Sequence, residues 1–324
     1  MKNLLTKNKI RLAPMASITN APFRQICIEC GSGYVTTEEI DAVSLVNNKS
    51  EKTKKIIEYY PEEKPIAMQL LGNDEKYLAE ASKILQDIGA DIIDINMGCP
   101  VPKITKKGKG VALMKDINKT AKLINHVRKN TTLPLTVKIR SGWDQNNLNA
   151  LEFSKMLEQE GVDAITIHPR SRLQQFTGMS KWEIISEIVS SVNIPVTGNG
   201  DVRSLLSAKL MMKETLCNSV MIGRGSIGNP WIFNQEYLNL NDIQRETYKK
   251  NIIKKHIDLM RFFFNENQLN MQMKKQLSFY AKGFKNAREF RKNLFNSKKE
   301  INELISFFFI EWDKNLNSKV IVQI

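Results

Sequence analysis

Histidine and cysteine are scarce, with three and four copies in 324 residues. Cysteines at 27, 30, 99 and 217 are too few and too scattered for a disulfide framework in a chain of this length. Cys27-Ile28-Glu29-Cys30 has the spacing of half a zinc site, but no second ligand pair accompanies it. Those two thiols read as small apolar groups on a helix face, and no metal is expected. Long apolar runs are missing too. The longest are stubs such as Phe307-Phe308-Phe309-Ile310, against the ~20 residues a membrane helix requires. The basic opening, Met1 to Lys9, lacks the apolar stretch of a secretory signal. The expectation is a soluble, cytoplasmic protein without a membrane partner. No GxGxxG follows the first strand pattern, which counts against a doubly wound dinucleotide-binding sheet.

What is present is a globular composition, 42% apolar and 25% charged. The length suits one large domain, or a large one with a small companion. Lysine and arginine number 48 against 34 acidic residues, a formal +14. Only 12 of the 48 are arginine, and such a bias toward Lys, Asn and Ile also follows from A/T-rich codon drift. Distribution says more than the total. Residues 241–324 carry 17 basic and 9 acidic side chains, a net +8, while residues 1–240 carry 31 and 25, a net +6. The tail is the more basic part, as expected of an element that meets phosphate, although a solvated Lys-rich helical face has the same composition.

Through about residue 230, short β-rich runs alternate with helical patterns, the signature of repeated βα units. The runs are 10–13, 34–37, 66–70, 92–96, 135–140, 164–168, 195–198 and 219–223, several of them continuously apolar as in parallel strands covered on both faces. Eight such units match an α/β fold of the (β/α)8 TIM-barrel type. Helical patterns between them include 74–88, 117–128 and 148–159, and Gly89 and Gly161 supply stops before the next strand. Beyond Trp231 strand signals vanish, and residues 245–316 read as three or four amphipathic helices. The expected division is a barrel over 1–240 and a small basic helical bundle over 241–324.

A parallel barrel carries its chemistry at the C-terminal ends of its strands. Strand one ends in Ala13-Pro14-Met15-Ala16, strand three in Gln69, and strand four in Asn96-Met97-Gly98-Cys99-Pro100. Strand five carries Lys138 and Arg140, strand six ends in His168-Pro169-Arg170, and strands seven and eight run into Gly198-Asn199-Gly200-Asp201 and Gly223-Arg224-Gly225. The last two turns are glycine-rich and lie where such barrels bind phosphate, whether of a flavin, a sugar or a nucleotide. Arg224 can add a charge-assisted contact. Lys138 alternates with Thr136 and Arg140 on one strand face, and a lysine inside a barrel needs an anionic or electron-rich partner. Gln69 can meet the edge of a planar heterocycle. His168, beside Arg170, reads as functional, whereas His126 and His256 read as structural or surface residues. Cys99, on a loop between prolines just past strand four, reads as a reactive thiol, a nucleophile or a general acid.

Five segments together closely resemble the tRNA-dihydrouridine synthases: Ala13–Ala16, Asp94–Pro100, Val137–Arg140, Gly198–Asp201 and Met221–Arg224. The wording around Cys99, with Ser141-Gly142-Trp143, is most similar to the bacterial B-type subgroup. This resemblance covers roughly residues 10–300. It implies an FMN enzyme, reduced by NADPH, that reduces the C5–C6 bond of a D-loop uridine in tRNA, with position 17 as the candidate. Pro14, Met15 and Ala16 would border the isoalloxazine, Gln69, Lys138 and His168 would lie by its ring, and Asn199, Gly200, Asp201, Gly223 and Arg224 would hold the phosphate end. Cys99 matches the family's general acid, protonating C5 opposite the hydride delivered to C6, and Asn96 matches a uracil contact. Arg170, Arg172 and, in the tail, Arg288 would meet the RNA. The implied partner is tRNA, bound by a monomer. The target base must be flipped out to reach a flavin at the bottom of a barrel mouth, and the basic tail would bind the RNA by shape and phosphates.

Two positions depart from the family's pattern. Pro169 follows the strand-six histidine where glycine is common, and Ala287-Arg288-Glu289-Phe290 stands where Ala-Arg-Lys-His is common. The second change exchanges basic character for Glu289 and Phe290 and bears on RNA contact. Two rival readings are an FMN oxidoreductase acting on free dihydropyrimidines or dihydroorotate, which has no need of the basic tail, and a non-catalytic RNA-binding barrel, which has no need of Cys99 beside Asn96. An isomerase or aldolase acting on a phosphate-bearing substrate is weaker, for want of an evident pair of opposed carboxylates at the strand ends.

Overall fold

A computed structural model describes residues 9–48 and 50–320. In chain order the strands are β1 (Ile10–Leu12), β2 (Val35–Thr36), β3 (Ile40–Asp41), β4 (Ile66–Leu71), β5 (Ile92–Met97), β6 (Leu135–Arg140), β7 (Ala164–His168), β8 (Val196–Asn199) and β9 (Ser219–Ile222). The helices are α1 (Ala21–Glu29), α2 (Ala42–Val46), α3 (Glu51–Ile57), α4 (Glu75–Ile88), α5 (Pro102–Thr105), α6 (Ile117–Arg128), α7 (Ala150–Gln159), α8 (Glu183–Val189), α9 (Leu205–Thr215), α10 (Asp242–Phe263), α11 (Glu266–Tyr280), α12 (Ala287–Asn296) and α13 (Ile301–Val320).

All neighbouring strands pair in parallel, in the order β1-β9-β8-β7-β6-β5-β4-β2. The seam between β1 and β2 is closed by Gly33 N donating to Ile10 O at 2.8 Å and Leu12 N donating to Ser32 Oγ at 3.1 Å. The result is the eight-staved (β/α)8 barrel expected from the alternation of strand and helix patterns, with ends shifted by a residue or two. The second stave departs from expectation. It is broken into β2, which pairs with Ile66 and Ala67, and β3, which pairs with Leu70 and Leu71, leaving Thr37–Glu39 outside the ladder.

Local chemistry sets the helix limits. Asp74 caps α4 by accepting from the N–H of Lys76 and Tyr77, and Gly89 ends it in the left-handed conformation at φ 107°. Asp116 caps α6 in the same way, accepting from Lys119 N.

On β5, β6 and β7 the alternate residues Ile93, Ile95, Met97, Val137, Ile139, Ile165 and Ile167 are fully buried. Their opposite-parity neighbours form an interior that is apolar only at its base. There Tyr34, Ala67, Ile92 and Ala164 cluster. Higher up, Arg11 donates to the Tyr34 hydroxyl and to Thr197 Oγ1, both at 3.1 Å, and Thr197 bonds Ser219 at 2.7 Å. Barrels filled for stability alone favour branched aliphatic layers. Here the interior becomes polar toward the strand ends, where a site would be built.

The chain divides into two compact units. Residues up to Gly225, with Ile232–Gln235, form one, and Ser226–Trp231 with the residues from Glu236 onward form the other. In the helical unit Asn241 caps α10 and Asn265 caps α11. Its core is aromatic: Phe290 lies 5.2 Å from Phe284 and 5.4 Å from Phe307, and Phe308 lies 5.6 Å from Trp312. No helix among the described residues is long and apolar enough to cross a membrane.

Candidate active site

Register brings the strand-end residues together. Gln69 pairs with Asp94, Asn96 with Lys138, and Arg140 with His168 on adjacent staves. A hydrogen-bonded chain runs across them. Thr136 Oγ1 donates to Asp94 Oδ1 at 2.5 Å, Gln69 Nε2 donates to Asp94 Oδ2 at 2.7 Å, and Asn96 Nδ2 donates to Gln69 Oε1 at 2.9 Å. The second Asn96 N–H meets Glu39 Oε2 at 3.0 Å, while Asn96 Oδ1 accepts from Gly98 N at 3.1 Å and Cys99 N at 2.9 Å. The Asn96 amide is therefore fully engaged, and its geometry fixes the loop that carries Cys99. Arg140 holds the same loop from the other side, donating from Nε to Gly98 O at 2.8 Å.

Cys99 is half-buried. Burial, then the charge of Glu39, pushes its thiol up to about 11, opposed by a backbone hydrogen bond at Val101 and by Arg140. A thiol in this setting carries its proton at neutral pH, as an acid must and a nucleophile must not. Of the two roles left open by its loop position, the environment favours the acid.

Burial and the charge of Arg140 bring Lys138 down to about 8, and Asp94 acts in the opposite direction. Asp94 is pushed up to about 6 by burial. Among the described residues no carboxylate lies within ion-pair distance of Lys138. His168 is buried and held well below the usual imidazole range, first by burial and then by the cations Lys138, Arg140, Arg170 and Arg224. It is neutral, and Arg170 NH1 meets its Nε2 at 3.2 Å. Pro169 fits without disturbance at the centre of a tight turn in which Arg170 N donates to His168 O at 2.8 Å.

The cations Lys138, Arg140, Arg170 and Arg224 around one neutral imidazole suit a group that takes up negative charge on reduction and ends in phosphate, and the turns at strands β8 and β9 are shaped for close approach. Gly200 has φ 135°, and a side chain there would collide with Ser180 Oγ and meet His168. A Cβ at Gly223 would fill the gap beside Ala13 and Met15, reaching 3.6 Å from each. Pro14 and Met15 are half-exposed and Ala16 is exposed on the loop after β1, and Asn199 is anchored by Nδ2 donating to Met221 O at 2.7 Å. These residues fit an FMN.

Asp201 and Arg170 differ from expectation. The Asp201 carboxylate accepts from Arg170 NH2 at 2.5 Å, Ser180 N at 2.9 Å and Arg224 NH2 at 3.3 Å, so it orients Arg224 rather than facing an anion itself. Arg170, expected to meet RNA, is 1% exposed and also donates to Thr177 O and Gly178 O. A guanidinium enclosed in this way braces the β7 loop and is out of reach of RNA. Arg172 is half-exposed, 4.6 Å above the Trp143 ring, which Lys115 also approaches at 3.4 Å. In the helical unit Arg288 is exposed on α12, whereas Phe290 is buried, so the exchange of histidine for phenylalanine alters packing and not a surface charge.

Glu39 is a site residue missing from the strand-end list. Its signal was the acidic pair Glu38-Glu39 directly after the second predicted strand. Cys27 and Cys30 are buried beside one another in α1 and its cap, as apolar groups would be. His256 is buried against Tyr280, Nδ1 to hydroxyl 2.8 Å, and His126 is half-buried on α6.

Comparison with known proteins agrees with this geometry. The sequence model of the family described as "Dihydrouridine synthase (Dus)" matches residues 11–316. The chain is 37% identical over 321 residues to tRNA-dihydrouridine synthase B of Pasteurella multocida, covering 96% of each chain. It is 35% identical over 290 residues to the Pseudomonas aeruginosa protein of the same name, covering 88% of this chain and 87% of that one. A probable tRNA-dihydrouridine synthase of Rickettsia conorii is 32% identical, covering 95% of each. Among solved structures, a 2-naphthoyl-CoA reductase complex shares the fold at TM-score 0.56 and 11% identity, covering 74% of this chain and 52% of that one. The chain belongs to the dihydrouridine synthase family.

Proposed function

We propose that this protein is a tRNA-dihydrouridine synthase that uses FMN and NADPH to reduce the C5–C6 bond of a D-loop uridine, position 17, with Cys99 as the general acid. The observation that carries this reading is the placement of Cys99 on the loop past β5, held by Asn96 and Arg140, with burial pushing its thiol up. Pro14, Met15, Ala16, Gln69, Lys138 and His168 would border the isoalloxazine of an FMN, and Gly200, Gly223 and Arg224 would hold the FMN phosphate, with Asp201 setting the direction of Arg224. When bound, FMN supplies the hydride.

The protein's own contribution is orientation and charge. Asn96 meets the flipped uracil by exchanging its hydrogen bond to Glu39 for one to the base, the contact nearest the half-exposed end of the chain. Lys138 and Arg140 stabilise negative charge developing in the mouth. Cys99 Sγ yields its proton to C5, the S–H electron pair remains on sulfur, and a proton from water restores the thiol. Arg172 beside Trp143, and Arg288 on the helical unit, meet tRNA phosphates. The enzyme acts in the cytoplasm as a monomer. Mass spectrometry of tRNA from cells lacking the protein tests the assignment: a D-loop dihydrouridine should disappear, and an unchanged modification map would reject it.

A further inference from the structure

The broken second stave delivers one carboxylate into the mouth. Thr37 N donates to Ala67 O at 3.0 Å, and Gln69 N turns to Thr37 Oγ1 at 3.1 Å, so the break is satisfied by its neighbour on β4. Glu38 accepts from Ser17 N at 2.5 Å, and Asp41 caps α2 and pairs with Lys109. With both neighbours tied elsewhere, Glu39 alone reaches inward. Its Oε2 accepts from Asn96 Nδ2 at 3.0 Å, and Asn96 Oδ1 in turn accepts from Cys99 N at 2.9 Å, which brings the carboxylate close enough for its charge to act on the Cys99 thiol. A residue 57 positions before Asn96 thus joins the two groups expected to flank the uracil.

We propose that Glu39 is a positioning residue for the proton transfer, a carboxylate that holds the Asn96 amide in place until the uracil takes over that hydrogen bond and that then stands beside the Cys99 sulfur and opposes its ionisation. This rests on the reading of Cys99 as the acid. A thiolate formed beside a carboxylate in a half-buried site is opposed by like-charge repulsion, and the opposition ends when Glu39 is neutral. The groups facing the pair are few. Glu39 also feels Lys52 from α3 and Glu38 and Asp41 from its own stave, and Cys99 feels Arg140 from β6. After each transfer the repulsion favours rapid recapture of a proton from water, to which the half-exposed Glu39 has access.

The test uses the full-length, FMN-loaded protein and two variants, Glu39→Gln and Glu39→Asp, with Cys99→Ala as the blank. Alkylation of Cys99 by iodoacetamide is followed peptide by peptide between pH 7 and pH 10, and tRNA reduction is followed across the same range. Glu39→Gln should alkylate about tenfold faster at pH 8, its whole alkylation curve displaced down by about one pH unit. Glu39→Asp, which keeps the charge, should follow the wild type. Superimposable curves for Glu39→Gln and wild type would overturn the proposal, as would a Glu39→Asp curve that follows Glu39→Gln. Full dihydrouridine formation by Cys99→Ala would instead reject the acid assignment, a separate outcome because alkylation reads the thiol whether or not tRNA is reduced.

Discussion

Asn96 Oδ1 accepts a hydrogen bond from the backbone N–H of Cys99 at 2.9 Å, so the side chain expected to meet the base also holds the loop that carries the acid. On the proposed mechanism, base recognition and proton delivery are coupled through one amide. Asn96→Ala should keep its flavin but lose roughly a hundredfold in tRNA reduction, the order of loss that a displaced reacting group produces. Flavin content and single-turnover reoxidation of the reduced protein by tRNA measure the two effects apart.

Cys99→Ala should retain yellow FMN and NADPH oxidation yet form little dihydrouridine. On the proposed mechanism the active form is the protonated thiol, and that form persists below its raised value of about 11. The Cys99 proton should therefore limit activity only as the pH approaches that value, above the range in which Lys138 loses its charge. A pH–rate profile of tRNA reduction, with nucleoside mass spectrometry as the readout, checks both statements.

Lys138 is charged below about 8 in the flavin-free protein. Burial and Arg140 disfavour its charge, so the cation proposed to meet the flavin is progressively lost as the pH rises through that value. FMN affinity of the apoprotein should weaken between pH 7 and pH 9. Lys138→Met should bind FMN more weakly at pH 7 and lose this dependence, as fluorescence titration would show.

The two arginines of the β7 loop should separate cleanly. Arg170→Ala removes a buried guanidinium and its hydrogen bonds to Asp201, Thr177 O and Gly178 O, and should destabilise the barrel by roughly 1–3 kcal/mol, seen in denaturant unfolding. Arg172→Ala should leave unfolding unchanged, weaken tRNA binding and reduce its salt dependence.

Phe290→Ala should destabilise the helical unit by roughly 3–5 kcal/mol, because the ring is 4% exposed among Phe284, Phe307 and Phe308. Arg288→Glu, on an exposed position of the same helix, should instead weaken tRNA binding with little effect on unfolding. Denaturant titration and filter binding distinguish them.

The barrel was legible because its signals are local. A strand such as Leu135–Arg140 declares itself by apolar alternation, α4 by Asp74 and Gly89, and the site by polar residues clustered where those strands end. Family resemblance then assigned roles to Cys99, Asn96 and Lys138 without reference to their neighbours. Charge and residue type also singled out Arg170, but could not say which way its side chain turns.

Partnerships across the chain were decided only by folding. Glu39 faces Asn96 because the second stave breaks at Thr37, and the break depends on β4, a segment about thirty residues away. Arg170 turns inward because Asp201, on the next stave, offers it a carboxylate. Phe290 joins an aromatic core whose other rings lie on the last helix and the turn before its own. Periodicity records which face of an element is apolar, but ion pairing and side-chain hydrogen bonding depend on distances between elements, and those exist only once the staves have closed.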